Sequence, residues 1–340
     1  MSTHAGTLTE GVLATHLADG ELTPGERVAL DVDQVLLQDI LGPLVWMELE
    51  APGFEAVEPD VVAQYADHQV YRFSGEGTDT HRYLRTVTRR YGGSFSKPRN
   101  GICHQVHREQ FIEPGTVMLG SDSHSTTMGG FGALGIGAGG LGVAVAMGGE
   151  PYTVEVPEVI EVNLTGTLGP WASAEDVALE LLRRFGVEGS VGTVFEFSGP
   201  GVETLSVPER CTIANMTTEL GATSGVFPSD EATHTYLERL GRGEDYRPLS
   251  PGEDAAYADS IDLDLSDVEP LVATPSMPDN VVPVREAAGT PVDQAIVGSF
   301  TNGSYLDLAT VAAVLEEETV AEDTDCIVAP ASRRAIELLS

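Results

Sequence analysis

The stretch at residues 120–127 reads Gly-Ser-Asp-Ser-His-Ser-Thr-Thr and opens a glycine-rich run that continues to Gly149. Just before it, residues 116–119 form a β-branched and apolar run, Thr-Val-Met-Leu, which predicts a buried strand. Three polar residues then arrive together on a turn: Asp122, Ser123 and His124. Eleven glycines between positions 120 and 149 let the backbone approach a neighbour or a ligand closely, since glycine has no side chain. The pattern predicts either a buried polar site or a small-residue packing segment with a capping Asp-Ser.

Strand and helix patterns alternate on both sides of this stretch. Residues 8–20 read as a first helix, and residues 34–50 as a mostly apolar helix. Residues 159–166 alternate as a strand, and residues 173–186 form a helix that begins with a capping box. From residue 292 onward, strand, turn, helix, strand and helix follow in order. This alternation predicts an α/β fold with parallel sheets, in which the last unit looks like the middle of a domain.

The length and composition indicate a globular protein. The chain has 340 residues, of which 41% are hydrophobic, so it is long enough for two or three domains. No apolar run is long enough to cross a membrane, and the first residues carry no basic region or signal core. We therefore expect a soluble, cytoplasmic protein without a membrane partner. Three scattered cysteines argue against a disulfide framework and supply no CxxC element: Cys103, Cys211 and Cys326.

The charge balance is strongly acidic. Against 53 acidic residues there are 18 basic ones, of which Lys97 is the only lysine, and the formal net charge is −35. Such a charge balance occurs both in proteins that mimic nucleic acid and in proteins with a haloadapted surface. Because the acids are spread through the chain, we favour the haloadapted, halophilic interpretation, in which carboxylates keep the protein hydrated in concentrated salt. Nucleic-acid binding is disfavoured, since no basic cluster is present to neutralise phosphates.

Histidines and acids gather in the residues that lead to the central stretch. Three histidines and two aspartates fall within 60 residues, all near the ends of predicted elements: Asp67, His68, His104, Asp122 and His124. A neighbouring carboxylate orients an imidazole and raises its pKa, so that the ring can act as an acid near neutral pH. The group suits proton transfer on a small polar substrate.

Three other kinds of site compete with this interpretation. A serine hydrolase is suggested by Ser123 beside His124, but adjacent residues rarely place hydroxyl and imidazole correctly, and no G-x-S-x-G element exists. A mononuclear metal site could be made from the three histidines and the acids. A phosphate-binding loop is the third possibility, although the glycine run lacks Gly-Lys-Ser/Thr. The residues alone therefore indicate a general acid/base site and leave these alternatives open.

Several motifs together resemble the aconitase family, in the order in which that family has them. They are Gly-Ile-Cys-His-Gln at 101–105, Gly-Ser-Asp-Ser-His-Ser at 120–125, Pro-Tyr at 151–152, Leu-Thr-Gly at 164–166, Glu-Phe-Ser-Gly-Pro-Gly at 196–201, Ala-Asn-Met at 214–216 and Gly-Ser-Phe-Thr-Asn-Gly-Ser-Tyr at 298–305. The motifs look more similar to aconitate hydratases than to isopropylmalate dehydratases. The resemblance implies conversion of citrate through cis-aconitate to isocitrate, a step of the tricarboxylic acid cycle, on a [4Fe-4S] cluster.

The resemblance also implies roles for individual residues. In such an enzyme three imidazole–carboxylate pairs surround a small di- or tricarboxylic acid. The matching positions are Asp67 with His68, His104 with Asp122, and His124 with Glu196. Two further positions match residues that bind the substrate carboxylates or hydroxyl: Gln38 and Ser123.

The fold that the resemblance implies has three-layer α/β domains with mixed or parallel sheets around the cluster. We expect a first domain at residues 1–157 with the acid/base histidines, a second at 158–283 and a partial third at 284–340. We expect the mobile fourth, or swivel, domain of the family to be absent. The third domain is then truncated.

The sequence departs from the family at the cluster. The position of the first cluster cysteine holds Phe300, and the other two cysteines would lie downstream of Ser340. A cluster is thus expected for the family, but Phe300 argues against it in this chain and leaves no protein ligand for a metal. Three hypotheses follow. The first is a family member that is inactive alone, as a fragment, a disrupted gene or a degenerate paralogue. The second is an isopropylmalate or homoaconitate dehydratase-type large subunit that a separate chain with the missing domains completes, and the third is a non-catalytic polycarboxylate-binding paralogue.

Overall fold

The computed structural model describes residues 6–71 and 75–340. Within these residues there are sixteen strands: β1 (Leu17–Asp19), β2 (Arg27–Leu30), β3 (Gln34–Leu37), β4 (Val61–Tyr65), β5 (Ser94–Ser96), β6 (Val117–Gly120), β7 (Leu134–Gly137), β8 (Tyr152–Glu155), β9 (Glu158–Thr165), β10 (Thr193–Ser198), β11 (Ser224–Val226), β12 (Asp259–Asp264), β13 (Leu271–Ala273), β14 (Val281–Pro283), β15 (Gln294–Gly298) and β16 (Asp325–Ala329).

The α-helices in the same part of the chain number ten. They are α1 (Leu8–Thr15), α2 (Gly42–Glu50), α3 (Gly75–Tyr91), α4 (Cys103–Gln110), α5 (Gly140–Met147), α6 (Ala174–Phe185), α7 (Val207–Met216), α8 (Glu231–Leu240), α9 (Tyr305–Val314) and α10 (Arg333–Leu339). A 3₁₀ helix at Ser123–Phe131 follows β6 and carries most of the central stretch.

The first sheet has five parallel strands in the order β5-β4-β3-β6-β7. Every residue of β3 and β6 is buried, as expected of parallel strands with both faces covered. Alternate residues of β3 point to opposite faces of the sheet. Val35 and Leu37 pack with α2, α3 and α5, whereas Leu36 packs with α4 and the 3₁₀ helix. The result is a three-layer α/β arrangement.

The second sheet is also parallel, in the order β11-β10-β9-β12. On one face Phe195 and Phe197 pack with residues of α6 and α7, and on the other face Val194 packs with α1. Helix α7 crosses the 3₁₀ helix very closely. A Cβ atom on Gly129 would lie 1.7 Å from the Gly225 carbonyl oxygen, and one on Gly130 would lie 2.6 Å from the Cys211 nitrogen. These two glycines therefore allow the central stretch to pack between the sheets.

Smaller elements complete the chain. Strands β1, β2 and β8 form an antiparallel sheet, and β13 and β14 form an antiparallel pair. Strands β15 and β16 pair in parallel, with α9 between them and α10 after them. Two backbone hydrogen bonds join this last unit to the residues just before α4. They run from Ile102 N to Ala331 O (2.8 Å) and from Arg333 N to Asn100 O (2.9 Å).

The predicted fold class, α/β with parallel sheets in three layers, is confirmed. Two element predictions are wrong. Residues 34–37 are the strand β3 and not part of a helix, because a short, wholly buried apolar run fits a strand as well as a helix. The first helix ends at Thr15, and residues 17–19 pair with β2. The domain boundaries after residues 157 and 283 and the haloadapted surface stay predictions. In the described part of the chain, no helix is both long and apolar enough to cross a bilayer.

Candidate active site

Most of the predicted site residues lie near the ends of strands of the first sheet, whereas Glu196 lies within β10 of the second sheet. Asp67 and His68 follow β4, and Asp122 follows β6. His104 lies in the first turn of α4. Because the carboxyl ends of parallel strands meet at one edge of a sheet, side chains that are distant in sequence come together there.

Asp122 joins two of the predicted imidazole–carboxylate pairs into one network. Its Oδ1 lies 2.9 Å from His104 Nε2, and its Oδ2 lies 3.2 Å from His68 Nε2. Asp122 Oδ1 also accepts the backbone N–H of His124 at 3.0 Å. His68 Nδ1 lies 3.2 Å from Asp67 Oδ1, and the other oxygen of Asp67 accepts Cys103 N–H at 2.7 Å. The pairs Asp67–His68 and His104–Asp122 are therefore both formed, and Asp122 is common to His68 and His104.

The network fixes the charges of its members. Hydrogen bonds to Asp122 and then Asp67 raise the pKa of His68 from 6.5 to about 10, although burial opposes the shift. Burial raises the pKa of Asp122, but hydrogen bonds from His104 and His68 outweigh burial and hold it well below its ordinary value. At neutral pH His68 is therefore a cation and Asp122 an anion. Burial, and then the electrostatic effect of the His104 ring, lower the pKa of His124 below its ordinary value, which favours the neutral ring.

The predicted pair of His124 with Glu196 is wrong. Glu196 is 1% exposed and points from β10 to the start of α1, where its oxygens accept Leu8 N–H (2.9 Å) and Thr9 N–H (2.8 Å). It also accepts the hydroxyl groups of Thr9 (2.8 Å) and Tyr257 (2.9 Å). The first N–H groups of a helix lack partners within it and favour a negative charge, so this end of α1 holds the carboxylate.

The partners of His124 come instead from the end of α7 and the turn after it. Its Nδ1 lies 3.0 Å from Asn215 Oδ1, and its Nε2 lies 3.4 Å from Glu219 Oε1. Asn215 belongs to the Ala-Asn-Met motif, which the sequence singles out, and Glu219 is only four residues beyond it. The closeness of Glu219 to this motif is the sequence feature that could have indicated its pairing with His124.

The two predicted substrate-binding residues differ in their surroundings. Gln38 is buried, and its Oε1 accepts the backbone N–H groups of Ile40 and Leu41 ahead of α2. Ser123 is exposed at the start of the 3₁₀ helix. Contact of either side chain with a substrate stays a prediction.

The sequence also missed a buried pair behind His68. Asp39 Oδ2 lies 2.7 Å from His81 Nε2, and Asp39 Oδ1 accepts His68 N–H at 2.9 Å. In the sequence, residues 78–91 predict a surface helix with Tyr83, Val87 and Tyr91 as its apolar stripe, and His81 lies outside that stripe. The adjacency of Asp39 to Gln38 in an apolar neighbourhood was the only sequence signal.

Phe300 occupies the space beside two of the histidines. Its ring centroid lies 4.3 Å from that of His124 and 6.1 Å from that of His104. Cys103 and Cys211 are buried in separate helices, and Cys326 is exposed on β16. Among the described residues, no group of potential metal-binding side chains contains two cysteines. A [4Fe-4S] cluster takes cysteine thiolates as ligands, so the residues present do not fit one.

Comparison with known proteins places these motifs in a family. A family model described as the aconitase family (aconitate hydratase) matches residues 10–291. The 3-isopropylmalate dehydratase large subunit 1 of Methanopyrus kandleri is 39% identical over 331 residues, which are 96% of this chain and 78% of that protein. The large subunit 2 of Archaeoglobus fulgidus is 38% identical, over 91% of this chain and 74% of that protein. The large subunit 2 of Rubrobacter xylanophilus is 35% identical, over 96% and 78%.

These relatives correct the narrower expectation from the sequence. The chain was expected to be closer to aconitate hydratases, and a role in the tricarboxylic acid cycle followed from that. Both expectations are wrong, because proteins matched over more than nine tenths of this chain carry the name isopropylmalate dehydratase large subunit. The broader assignment is confirmed: the chain belongs to the aconitase family.

Proposed function

We propose that this chain is a large subunit of the isopropylmalate dehydratase type, which binds a small hydroxy-dicarboxylic acid beside Asp122 and exchanges protons with it. The observation that carries the proposal is the Asp122 carboxylate between His68 Nε2 (3.2 Å) and His104 Nε2 (2.9 Å). The relatives' names supply the substrate class. The cytoplasmic location expected from the sequence belongs to the same proposal.

Two histidines have the opposite protonation states that removal of water requires. Dehydration takes a proton from carbon and gives one to the departing hydroxyl. His68 is partly exposed and cationic, so it can attract a substrate carboxylate and give the departing hydroxyl its Nε2 proton, while its Nδ1 proton stays beside Asp67. His124 is neutral and can accept a proton, while Glu219 stabilises the imidazolium that results. Asp67 and Asp122 hold the His68 ring at both nitrogens.

The proposal includes a protein partner. The relatives are called large subunits, which implies a small subunit, and this chain spans about 78% of the length of several of them. Because the residues present do not fit an iron–sulfur cluster, we assign no step of the reaction to one. We therefore expect the isolated chain to bind the acid without dehydrating it rapidly.

A non-catalytic polycarboxylate-binding role is the second candidate. The ring of Phe300 against His124 favours it, because an apolar ring stands where the family has a cluster ligand. The two candidates share the binding site and differ only in turnover.

Calorimetric titration of the purified chain with 3-isopropylmalate tests the shared site. We expect binding that weakens about tenfold or more in His68→Gln, since an ion pair with the substrate is lost. His234→Gln is the matched control, because His234 is a helical surface histidine with carboxylate neighbours of its own. Equal affinity in both variants, or no binding by the wild type, would contradict the proposed site. Formation of the alkene, followed by its ultraviolet absorbance with and without a small subunit, separates enzyme from binding protein.

A further inference from the structure

Asp39 connects three segments behind the proposed acid. It lies two residues after β3, next to the loop that follows β4 and against helix α3. Asp39 Oδ1 accepts the backbone N–H of His68 at 2.9 Å, and Oδ2 accepts that of Gln69 at 3.1 Å. Oδ2 also lies 2.7 Å from His81 Nε2. One carboxylate thus fixes two successive peptide groups of the His68 loop to α3.

The burial of this pair requires that its hydrogen bonds be satisfied. Asp39 is 1% exposed and His81 is 4% exposed. A carboxylate removed from water costs several kcal/mol unless charged or polar partners compensate it. Two backbone N–H groups and the His81 ring provide that compensation. Loss of the His81 donor would therefore destabilise the position of Asp39 and release the loop.

The position of the loop matters because the backbone of residue 68 decides whether the ring reaches its two carboxylate partners. Residues 66–71 lie between β4 and α3, outside any strand or helix. The ring must reach Asp67 with Nδ1 and Asp122 with Nε2, at 3.2 Å each. Small rotations of the backbone at residue 68 displace the ring tip, and hydrogen bonds weaken steeply as distance and angle degrade.

We propose that Asp39 and His81 are positioning residues, which hold the His68 loop so that the imidazole keeps its contacts with Asp67 and Asp122. The inference rests on the proposed function for its catalytic meaning. Neither residue contacts the substrate position. Asp39 acts through the backbone of His68, and His81 acts through Asp39.

Titration of the His68 ring by NMR of histidine-labelled protein tests this directly. In His81→Leu we expect the pKa of His68 to fall from about 10 to below about 9, because longer contacts to Asp122 and Asp67 favour the cation less. His81→Gln places an amide N–H near the position of Nε2 and should restore the wild-type titration. His234→Leu, on α8, is the control for loss of a helical histidine.

A merely structural role predicts a different result. It would lower the midpoint of urea unfolding in His81→Leu and leave the pKa of His68 unchanged, and that outcome would overturn the proposal. If His81→Leu does not fold, Asp39→Asn answers the same question, since its amide keeps the shape and weakens the contacts to the loop. An unaltered His68 titration in folded Asp39→Asn would be equally decisive against it.

Binding of 3-isopropylmalate separates this inference from the proposed function. We expect about tenfold weaker binding in His81→Leu and near wild-type binding in His81→Gln, as for other displacements of a binding group. If the wild type does not bind the acid, the proposed function fails. The His68 titration, which needs no ligand, still decides whether Asp39 and His81 position the ring.

Discussion

The first sheet and the last parallel pair of strands are built from similar sequences but differ in their surroundings. Val35 in β3 is fully buried between two layers of helices, whereas Val328 in β16 is 51% exposed. All five residues of β16 are exposed, although they include Ile327 and Val328. Parallel strands are stable where both faces are covered, and two strands alone bury little surface.

The difference teaches where the stability of the candidate site comes from. Asp67, His68 and Asp122 follow strands of the covered sheet, so the strand ends that carry them are held by its core. The unit from β15 to α10 contacts that body through the Phe300 ring and through hydrogen bonds such as the one from Ser332 Oγ to Glu109 Oε1 at 2.8 Å. We therefore expect the last unit to open locally at a lower free energy than the sheets.

Ion pairs give the largest expected contrast between the two regions. Arg210 is completely buried in α7 and lies 2.7 Å from Asp230, whereas Arg333 and Glu337 in α10 are both more than half exposed. Asp230→Ala leaves the guanidinium without its anion and removes the cap of α8, so it should lower the free energy of unfolding by about 3 kcal/mol or more. Glu337→Ala should change it by less than about 0.5 kcal/mol. Urea unfolding measures both, and equal losses would contradict the contrast.

Valine truncations test the packing itself with identical chemistry. Val35→Ala removes buried methyl groups and leaves a cavity in the first sheet, which should cost about 2 kcal/mol. Val328→Ala removes methyl groups that already contact water and should cost less than about 0.5 kcal/mol. The same urea experiment compares them. A large loss in Val328→Ala would mean that β16 is covered in solution.

We expect the pH dependence of stability to come from the network of His68 and Asp122 at the edge of the first sheet. The pKa of His68 is raised in the folded state, so its contribution is fully present below pH 6.5 and is lost as the pH rises through about 10. The pKa of Asp122 is lowered, so its contribution is present above its ordinary pKa and is lost in acid. The ring is partly exposed, and solvent screening limits the effect of His68 to about 1 kcal/mol.

His68→Gln provides the measurement for this pH dependence. Its stability deficit relative to the wild type should be largest below pH 6.5 and should shrink toward zero near pH 10. His234→Gln, which removes a histidine of α8 outside this network, is the matched control. A deficit that stays constant from pH 6 to pH 10 would contradict the assigned role of the His68 cation.

The same contrast explains which structural features the sequence could predict. The run at 116–119 predicted the buried strand β6, because a β-branched apolar run ahead of a glycine turn has few alternatives. Residues 34–37 were assigned to a helix, since periodicity cannot separate a short buried strand from a buried helix turn. The pattern after residue 292 predicts an α/β unit, which β15, α9, β16 and α10 form, and its strand β16 is exposed along its length.

Within the site, local relations were predictable and long-range partners were not. The pairs Asp67–His68 and His104–Asp122 were implied by the family resemblance, which rests on the motifs around them, and both are formed. Residues 195–197 alternate along β10, which places the Glu196 carboxylate on the opposite face from Phe195 and Phe197. This alternation cannot reveal that the opposite face meets the first turn of α1. The partner of His124 and the pairing of His81 with Asp39 likewise depend on tertiary packing.

Helix caps give the smallest expected effects and separate local from global stability. Thr7 caps α1 by accepting Glu10 N–H at 3.1 Å, and Ser304 and Asp307 form the corresponding capping box of α9. Each cap should contribute about 0.5–1 kcal/mol, since the bonds are local and similar. Thr7→Ala should therefore lower the midpoint of the main urea transition, because α1 packs on the second sheet. Ser304→Ala should speed amide hydrogen exchange in α9 and leave that midpoint unchanged, because the last unit already opens on its own. A shift of the main transition by Ser304→Ala would show that β15 to α10 unfold together with the sheets.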